Sequence, residues 1–148
     1  MPFPPGGMRV SLNSPAIREL LEGEDGPVAR HLATRAQRIT KTAKRLAPVS
    51  PHGSHGRPSG YLRSHIGWEL GRDAEGLYAD IYTAATTPDG APYGYFQEVG
   101  TRPHIIRSHG NYPLRNRRTG QVFGRVVHHP GTAAQPHLRP ALAAERGR

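Results

Sequence analysis

The chain contains no cysteine, which excludes disulfides and thiolate metal sites. No stretch approaches the roughly 18 apolar residues that a membrane-spanning helix needs. The first seven residues, MPFPPGG, lack the basic region and the apolar run of a secretory signal. From these absences we expect a protein that is made in the cytoplasm and has no membrane partner.

Apolar residues are also scarce, at 35% of the 148 residues, while glycine (18) and proline (15) are abundant. Such a chain holds enough apolar material for one modest core, but not enough to bury its whole length. We therefore expect one compact domain with extended loops and arms that become ordered against a partner. This organisation is typical of a subunit of an assembly.

Acidic residues are missing from two long parts of the sequence, and the net charge is +9. None occurs between Asp25 and Glu69, and none occurs between Glu98 and Glu145. The chain therefore has separate acidic and basic regions. Such segregation is expected of a ring whose neighbours meet through complementary charge, or whose lumen holds DNA.

The clearest structural pattern lies between Pro27 and Ala47, where apolar residues recur every three or four positions before Pro48. This spacing predicts one stripe of an amphipathic helix. The stripe consists of Val28, Leu32, Ala36, Ile39, Ala43 and Leu46. The basic residues that fall largely on the opposite face are Arg30, Arg38, Lys41, Lys44 and Arg45.

The other predicted elements are shorter. Ser14-Pro15 and Gly23 bound a short helix, whose buried residues would be Ile17, Leu20 and Leu21. Alternation and turn residues predict the strands Met8–Leu12, Gly60–Glu69, Leu77–Tyr82 and Gln121–Val127, with a hairpin connection near 72–76. The remaining elements are a short helix or turn at Tyr93–Val99, an extended hairpin or loop at 102–119 and a short helix at 136–144.

One long amphipathic helix packed on a small antiparallel sheet, with extended loops and arms, is an α+β fold. We expect an N-terminal arm or edge strand at residues 1–13 and a single domain over residues 14–144. Flexible loops are expected at about 48–58 and 102–119, and a basic tail at 145–148.

Nine histidines make a metal site the first chemical hypothesis to consider. The adjacent His128 and His129 would point to opposite faces of a strand and cannot readily share one ion. No histidine pair has helical i, i+4 spacing beside a carboxylate. Glu98 is better explained as an acceptor of N–H groups or a partner of arginine than as a general base. Since no nucleophile or phosphate-loop motif occurs, we predict no catalytic, metal-binding or cofactor-binding residue and no enzymatic activity.

A nucleic-acid interface is a more serious hypothesis. The basic face of the long helix, together with Arg115, Arg117 and Arg118, could contact phosphate groups. The sequence has no recognition-helix motif, so contact with DNA would be independent of sequence and sensitive to salt. A solvated helix face explains the same residues equally well.

Three short segments follow the Ala47-Pro48 end of the predicted long helix in a fixed order. They are Ser59-Gly60-Tyr61-Leu62-Arg63 with Ile66, then Tyr93-Gly94-Tyr95-Phe96-Gln97-Glu98-Val99-Gly100-Thr101, then Pro136-His137-Leu138-Arg139-Pro140-Ala141. This layout resembles the tail-component family of lambdoid and related siphophages, whose members are tail completion, neck or minor tail proteins. In that family a Thr/Ser-Gly-x-Leu-Arg strand precedes a Tyr-Ala-x-Tyr/Phe-x-Glu-x-Gly-Thr segment and a Pro-Phe-Leu-x-Pro-Ala helix start. The resemblance covers about residues 27–144, with departures at His65, Gly94 and His137.

The resemblance implies a non-enzymatic virion protein at the head–tail junction, without a cofactor. It implies a closed ring, six-fold or twelve-fold, that surrounds the DNA path and contacts neck, connector or tail-tube proteins. The candidate interface residues are Tyr61, Arg63, Tyr93, Phe96, Glu98, Gly100, Thr101, Leu138 and Arg139. Two alternatives stay open, a tail terminator that caps the tail tube and a sequence-independent DNA-binding protein outside any virion. A histidine metalloenzyme is a more distant alternative.

The three segments also suggest local geometry. Gly100 is expected to supply a turn with positive φ, from which Glu98 would accept hydrogen bonds. The predicted strand at 60–69 would face the long helix with Leu62, Ile66 and Trp68. Tyr61 and Arg63 would then face outward, and we hypothesise that Arg63 meets Glu98 within or between subunits.

Overall fold

The structure is a computed structural model that describes residues 14–53, 56–116 and 119–147. Its helices are α1 (Ser14–Glu22), α2 (Pro27–Leu46), α3 (Tyr61–Ser64), α4 (Tyr93–Val99) and α5 (Leu138–Arg146). Its strands are β1 (Ile66–Asp73), β2 (Gly76–Thr83), β3 (His104–Arg107), β4 (Leu114–Arg115), β5 (Val122–Gly124) and β6 (Val126–His129). Helices with small antiparallel sheets confirm the predicted α+β class. The predicted strand Met8–Leu12, the rest of residues 1–13, and Arg117, Arg118 and Arg148 lie outside the described residues.

The long helix α2 is confirmed. Pro27 lies in its first turn, where the missing N–H is harmless. Its buried residues are Ala29, Ala36, Ile39, Thr40 and Ala43, most of them small enough for neighbouring elements to approach closely. The prediction for Leu46 is wrong, because this residue is 44% exposed. Ala47 continues the spacing of Ala36 and Ala43 and takes the buried position instead.

Strands β1 and β2 pair in antiparallel register over their whole length and form a hairpin. The carboxylate of Asp73 accepts hydrogen bonds from the N–H groups of Glu75 (2.8 Å) and Gly76 (3.1 Å), which closes the predicted connection. One face of the hairpin, with Ile66 and Ile81, packs towards α2 and the core. The hairpin is the sheet on which the long helix lies.

The predicted strand Gly60–Glu69 is wrong in its first half. Gly60 has φ +75°, a left-handed conformation that glycine adopts readily, and the single helical turn α3 follows it. Leu62 is therefore buried through a helical turn rather than through strand alternation, and Trp68 is only half-buried. The predicted strand Leu77–Tyr82 is confirmed within β2.

The core is a small cluster between α2, α3, β1, α4 and α5. Its buried members are Ile39, Ala43, Ala47, Leu62, Ile66, Ala85, Tyr93 and Ala141. Helix α1 lies beside α2 and β2 and contributes no residue to this cluster. The predicted burial of its apolar residues is therefore wrong, with exposed fractions of 40% for Ile17, 50% for Leu20 and 51% for Leu21.

Residues 101–116 and 119–132 form a long β-hairpin, and we call the segment 101–132 the arm. Thr101 and Thr132 close its base through two backbone hydrogen bonds of 3.0 and 3.1 Å. Strand β3 pairs with β6, and β4 pairs with β5. The predicted single strand Gln121–Val127 is wrong, because the chain turns at Gly124 (φ +87°), the last residue of β5, and β6 begins only after Arg125. The hairpin expected within 102–119 thus extends beyond that range.

Candidate functional site

Glu98 caps the N-terminus of α5. This carboxylate is 7% exposed and accepts hydrogen bonds from the backbone N–H groups of His137 (2.7 Å), Leu138 (3.0 Å) and Arg139 (3.0 Å). The first N–H groups of a helix have no partner within the helix, and a negative charge there is favourable. The prediction that Glu98 accepts hydrogen bonds from the Gly100 turn is therefore wrong. The N–H of Gly100 donates to the carbonyl of Phe96 instead.

The side chain of Arg139 completes this cap. Its Nε donates to Glu98 Oε1 (3.2 Å), and its Nη2 donates to the Glu98 backbone carbonyl (3.0 Å). Burial raises the pKa of the Glu98 carboxyl, but the N–H groups of His137, Leu138 and Arg139 and the Arg139 side chain outweigh burial and lower that pKa to about 2. Glu98 is therefore an anion that holds α4 to α5.

His137 lies at the centre of the same cap and is fully buried. Its Nδ1 is 3.1 Å from Glu98 Oε2. In the part of the chain that the structure describes, its Nε2 has no hydrogen-bond partner. The side chain thus fills a core position. Its neighbours in the third sequence segment, Leu138 and Ala141, also lie in the core or pack against it.

Tyr61 and Tyr93 join the first two sequence segments. Their rings are stacked with centroids 6.3 Å apart, and Tyr61 also contacts the ring of His65 at 3.8 Å. The guanidinium of Arg57 lies 4.7 Å from the Tyr61 centroid and donates to the carbonyls of Thr86 (2.8 Å) and Thr87 (3.0 Å). Tyr61 is half-buried, so its predicted outward position is wrong.

Arg63 is exposed, as expected, but it does not meet Glu98 within the chain. Its Nη2 donates to the carbonyl of Ala47 at the end of α2 (3.3 Å). Glu98 is already occupied by the start of α5 and by Arg139. The intramolecular form of the Arg63–Glu98 hypothesis is therefore wrong.

Phe96, Gly100 and Thr101 lie where α4 meets the base of the arm. Gly100 has the predicted positive φ (+76°), and a Cβ at this position would lie 2.6 Å from the Thr132 carbonyl oxygen. Phe96 is 41% exposed and lines an open groove of about 690 Å³. The other wall of this groove contains His104, Ile106 and His129 of the arm.

The arm exposes apolar side chains that sequence reasoning missed. The exposed fractions are 48% for Ile105, 36% for Ile106, 58% for Val122, 46% for Phe123 and 43% for Val126. A two-stranded hairpin is marginally stable by itself in water, and exposed apolar surface favours contact with another molecule. The signal was present as two apolar pairs, Ile105-Ile106 and Val126-Val127, on either side of glycine-containing turns.

The basic residues of α2 share one face, as predicted. At 3.6 residues per turn they fall within about 120° of the helix surface and span about 22 Å of its length. Most of this face points away from the buried alanines: Arg30, Arg38, Lys41 and Arg45 are exposed, and Lys44 at its edge is half-buried. The structure therefore presents a cationic strip to solvent.

One member of this strip is neutralised. The Nη2 of Arg38 lies 2.6 Å from Oε1 of Glu145, which is 6% exposed and also lies 3.5 Å from Arg35. Arg115 is exposed on β4, far along the chain from the strip.

The adjacent His128 and His129 of the arm point to opposite faces of their strand, as the alternation of side chains predicts. His129 pairs with His104, with ring centroids 4.9 Å apart, whereas His128 pairs with Ile105. Within residues 14–53, 56–116 and 119–147, no group of three potential metal ligands occurs. None of the described helices is both long and apolar enough to cross a bilayer.

Comparison with known proteins adds no relative. No protein-family model matches the chain, no curated protein is significantly similar to it and no solved structure matches it.

Proposed function

We propose that this chain is a structural virion protein of a long-tailed bacteriophage. It is a ring-forming subunit of the neck or tail completion type, made in the host cytoplasm and built into the head–tail junction. There it helps to join the tail to the capsid and surrounds the DNA path. Its partners are further copies of itself, neighbouring connector or tail-tube proteins, and DNA held without sequence specificity.

The arm is the observation that carries this proposal. Most of its described residues are exposed, none of them is buried, and its strands pack mainly against one another. Exposed apolar residues on an extended hairpin are stabilised when another protein covers them. A subunit that assembles with its neighbours provides such cover.

The three sequence segments support the same proposal because they contact one another. The first meets the second through the stacked rings of Tyr61 and Tyr93. The second meets the third through Glu98 and the N–H groups of His137 and Arg139. The shared residues thus fix the relative positions of α3, α4 and α5, which is a structural role and agrees with a resemblance to structural proteins.

The cationic strip of α2 supports a contact with DNA. Lys41 and Arg45 are exposed, and no acid occurs within α2. Phosphate binding by such a strip is independent of sequence and weakens as salt increases. In a ring, the strip would line the DNA path.

Two other functions remain as alternatives. A tail terminator would use the same arm to close the end of a tail tube. A DNA-binding protein outside any virion would need only the cationic strip of α2, which is the observation that favours it. Strong salt-dependent DNA binding without self-association would support this second alternative.

Electron microscopy of phage particles tests the proposal. An early stop codon in this gene should give filled heads and separate tails, and the intact gene supplied from a plasmid should restore complete particles. Abnormally long tails would identify a terminator instead. Normal infectious particles without the protein would contradict a structural role.

A further inference from the structure

The outer face of the β1–β2 hairpin is aromatic and acidic. The register places Gly67 opposite Tyr82, and Gly71 opposite Tyr78. Both tyrosine rings lie against the glycine opposite, because a Cβ at Gly67 would lie 3.2 Å from the Tyr82 ring and one at Gly71 would collide with the Tyr78 ring. The rings remain 41% and 39% exposed for Tyr82 and Tyr78. We call this surface the outer face.

Two carboxylates lie between these tyrosines. Glu69 and Asp80 are directly opposite each other in the register, and both are exposed. Like charges in this arrangement destabilise a sheet. Among the residues described, neither carboxylate takes part in an ion pair. A cationic partner on the outer face would turn this repulsion into attraction.

The arm of the same chain has the complementary composition. Residues 101–132 contain six arginines and no acid, whereas residues 66–83 contain four acids and one arginine. Side chains alternate along a strand, so the register of β3 with β6 places one mixed set on one face of the arm. That set is Ile105, Arg107, Val126 and His128, all of them exposed.

We propose that the arm of one copy lies across the outer face of the neighbouring copy, an inference that rests on the proposed ring. Arg107 faces Glu69 and Asp80 there, since guanidinium binds carboxylates strongly and also stacks on tyrosine rings. Ile105 and Val126 cover the aromatic surface. DNA and anionic membranes are repelled by this face, so a second copy is the occupant that its charge favours.

This contact joins two different surfaces of the chain. Contacts of this kind are head-to-tail, and they give a ring when the rotation between neighbours closes. The basic and acidic regions of the sequence then form the two sides of the same contact, since each copy supplies one surface to each of its two neighbours. Screening by salt should weaken the association.

Charge reversal on each surface tests the contact by sedimentation velocity of the purified full-length chain. One variant carries Glu69→Lys and Asp80→Lys, and the other carries Arg107→Glu. We expect the wild-type chain to self-associate and each variant to do so at least about tenfold more weakly. An equimolar mixture of the two variants should recover the association, because each arm then meets an outer face of opposite charge.

The matched control reverses Lys41 and Arg45 to Glu on α2, and this variant should sediment like the wild type. The inference is overturned if the wild-type chain stays monomeric at all concentrations, if the two variants associate normally or if their mixture does not reassociate. Thermal unfolding of each variant identifies a folding defect.

A cysteine pair keeps the test valid if a reversal variant does not fold. The natural chain has no cysteine, so Val126→Cys with Tyr82→Cys should give a ladder of intermolecular disulfides on oxidation. Val126→Cys with Thr34→Cys is the control pair and should give at most a weak dimer. Disulfide ladders of equal extent in the two cysteine pairs would overturn the proposed contact. Failure of this contact leaves the particle phenotype unchanged, whereas failure of the proposed function appears as normal particles without the gene.

Discussion

The backbone N–H of Arg139 and the carboxylate oxygen Oε1 of Glu98 lie 3.0 Å apart, which joins the end of α4 to the first turn of α5. The arm, residues 101–132, lies between these two residues in the sequence. The N–H of Gln135 also donates to the carbonyl of Gln97 (2.7 Å). These hydrogen bonds therefore hold together the two segments, one on each side of the arm, that join it to α4 and α5.

Replacing Glu98 should destabilise the chain strongly. Glu98→Gln keeps one acceptor oxygen but loses the charge, and it should lower the free energy of unfolding by about 2 kcal/mol. Glu98→Ala leaves the N–H groups of α5 without an acceptor and should lower it by about 4 kcal/mol. Urea unfolding at pH 7 measures both changes. Glu24→Gln, at an exposed position, is the control and should change stability by less than about 0.5 kcal/mol. Equal effects at the two positions would contradict the cap.

The cap also predicts a dependence of stability on pH. The pKa of Glu98 is about 2 in the folded chain and near 4.3 in an unfolded one. Since the folded pKa is the lower one, the stabilisation is fully present above about pH 5 and is lost as the pH falls towards 2. The loss should be about 3 kcal/mol. Urea midpoints between pH 7 and pH 2 should fall less steeply in Glu98→Gln than in the wild type. Parallel curves would show that Glu98 does not titrate as an anchored anion.

His137 should tolerate an aromatic replacement. Its buried Nε2 has no hydrogen-bond partner among the described residues, and such an atom is unfavourable. His137→Phe removes that atom, gives up the contact between Nδ1 and Glu98 and adds one carbon to the ring, so stability should change by no more than about 1.5 kcal/mol. His137→Ala creates a cavity and should lower stability by about 3 kcal/mol. Thermal unfolding measures both variants, and an equal loss for His137→Phe and His137→Ala would show that the imidazole has an essential polar role.

The sequence predicted the elements whose signals are local. The spacing of Ala36, Ile39 and Ala43 specified α2, and the turn at Asp73 specified the β1–β2 hairpin. Gly100 was predicted at a positive φ because the residues on both sides of it already carried the pattern of a helix end. Each of these features depends on neighbours within a few positions of the chain.

The features that the sequence did not predict depend on distant residues. The sequence pattern predicts that Glu98 bonds its own turn, but its partners lie at 137–139, beyond the whole arm. The sequence pattern divides the arm into a loop and an unrelated strand, because the pairing of β3 with β6 joins residues 19 to 25 positions apart. Periodicity alone predicts Leu46 and Leu20 to be buried, but it does not tell which parts of a helix a partner covers.

The cationic strip of α2 predicts how DNA binding responds to salt. Lys41→Gln combined with Arg45→Gln removes two exposed charges from the strip, so the slope of log K against log salt should decrease by about 2. Fluorescence anisotropy with two unrelated DNA duplexes measures the slope, and both duplexes should give the same value. Arg18→Gln combined with Arg72→Gln removes two charges elsewhere and is the control, which should leave the slope unchanged. An unchanged slope for the α2 variant would place the DNA contact outside the strip, and different slopes for the two duplexes would contradict binding through phosphates alone.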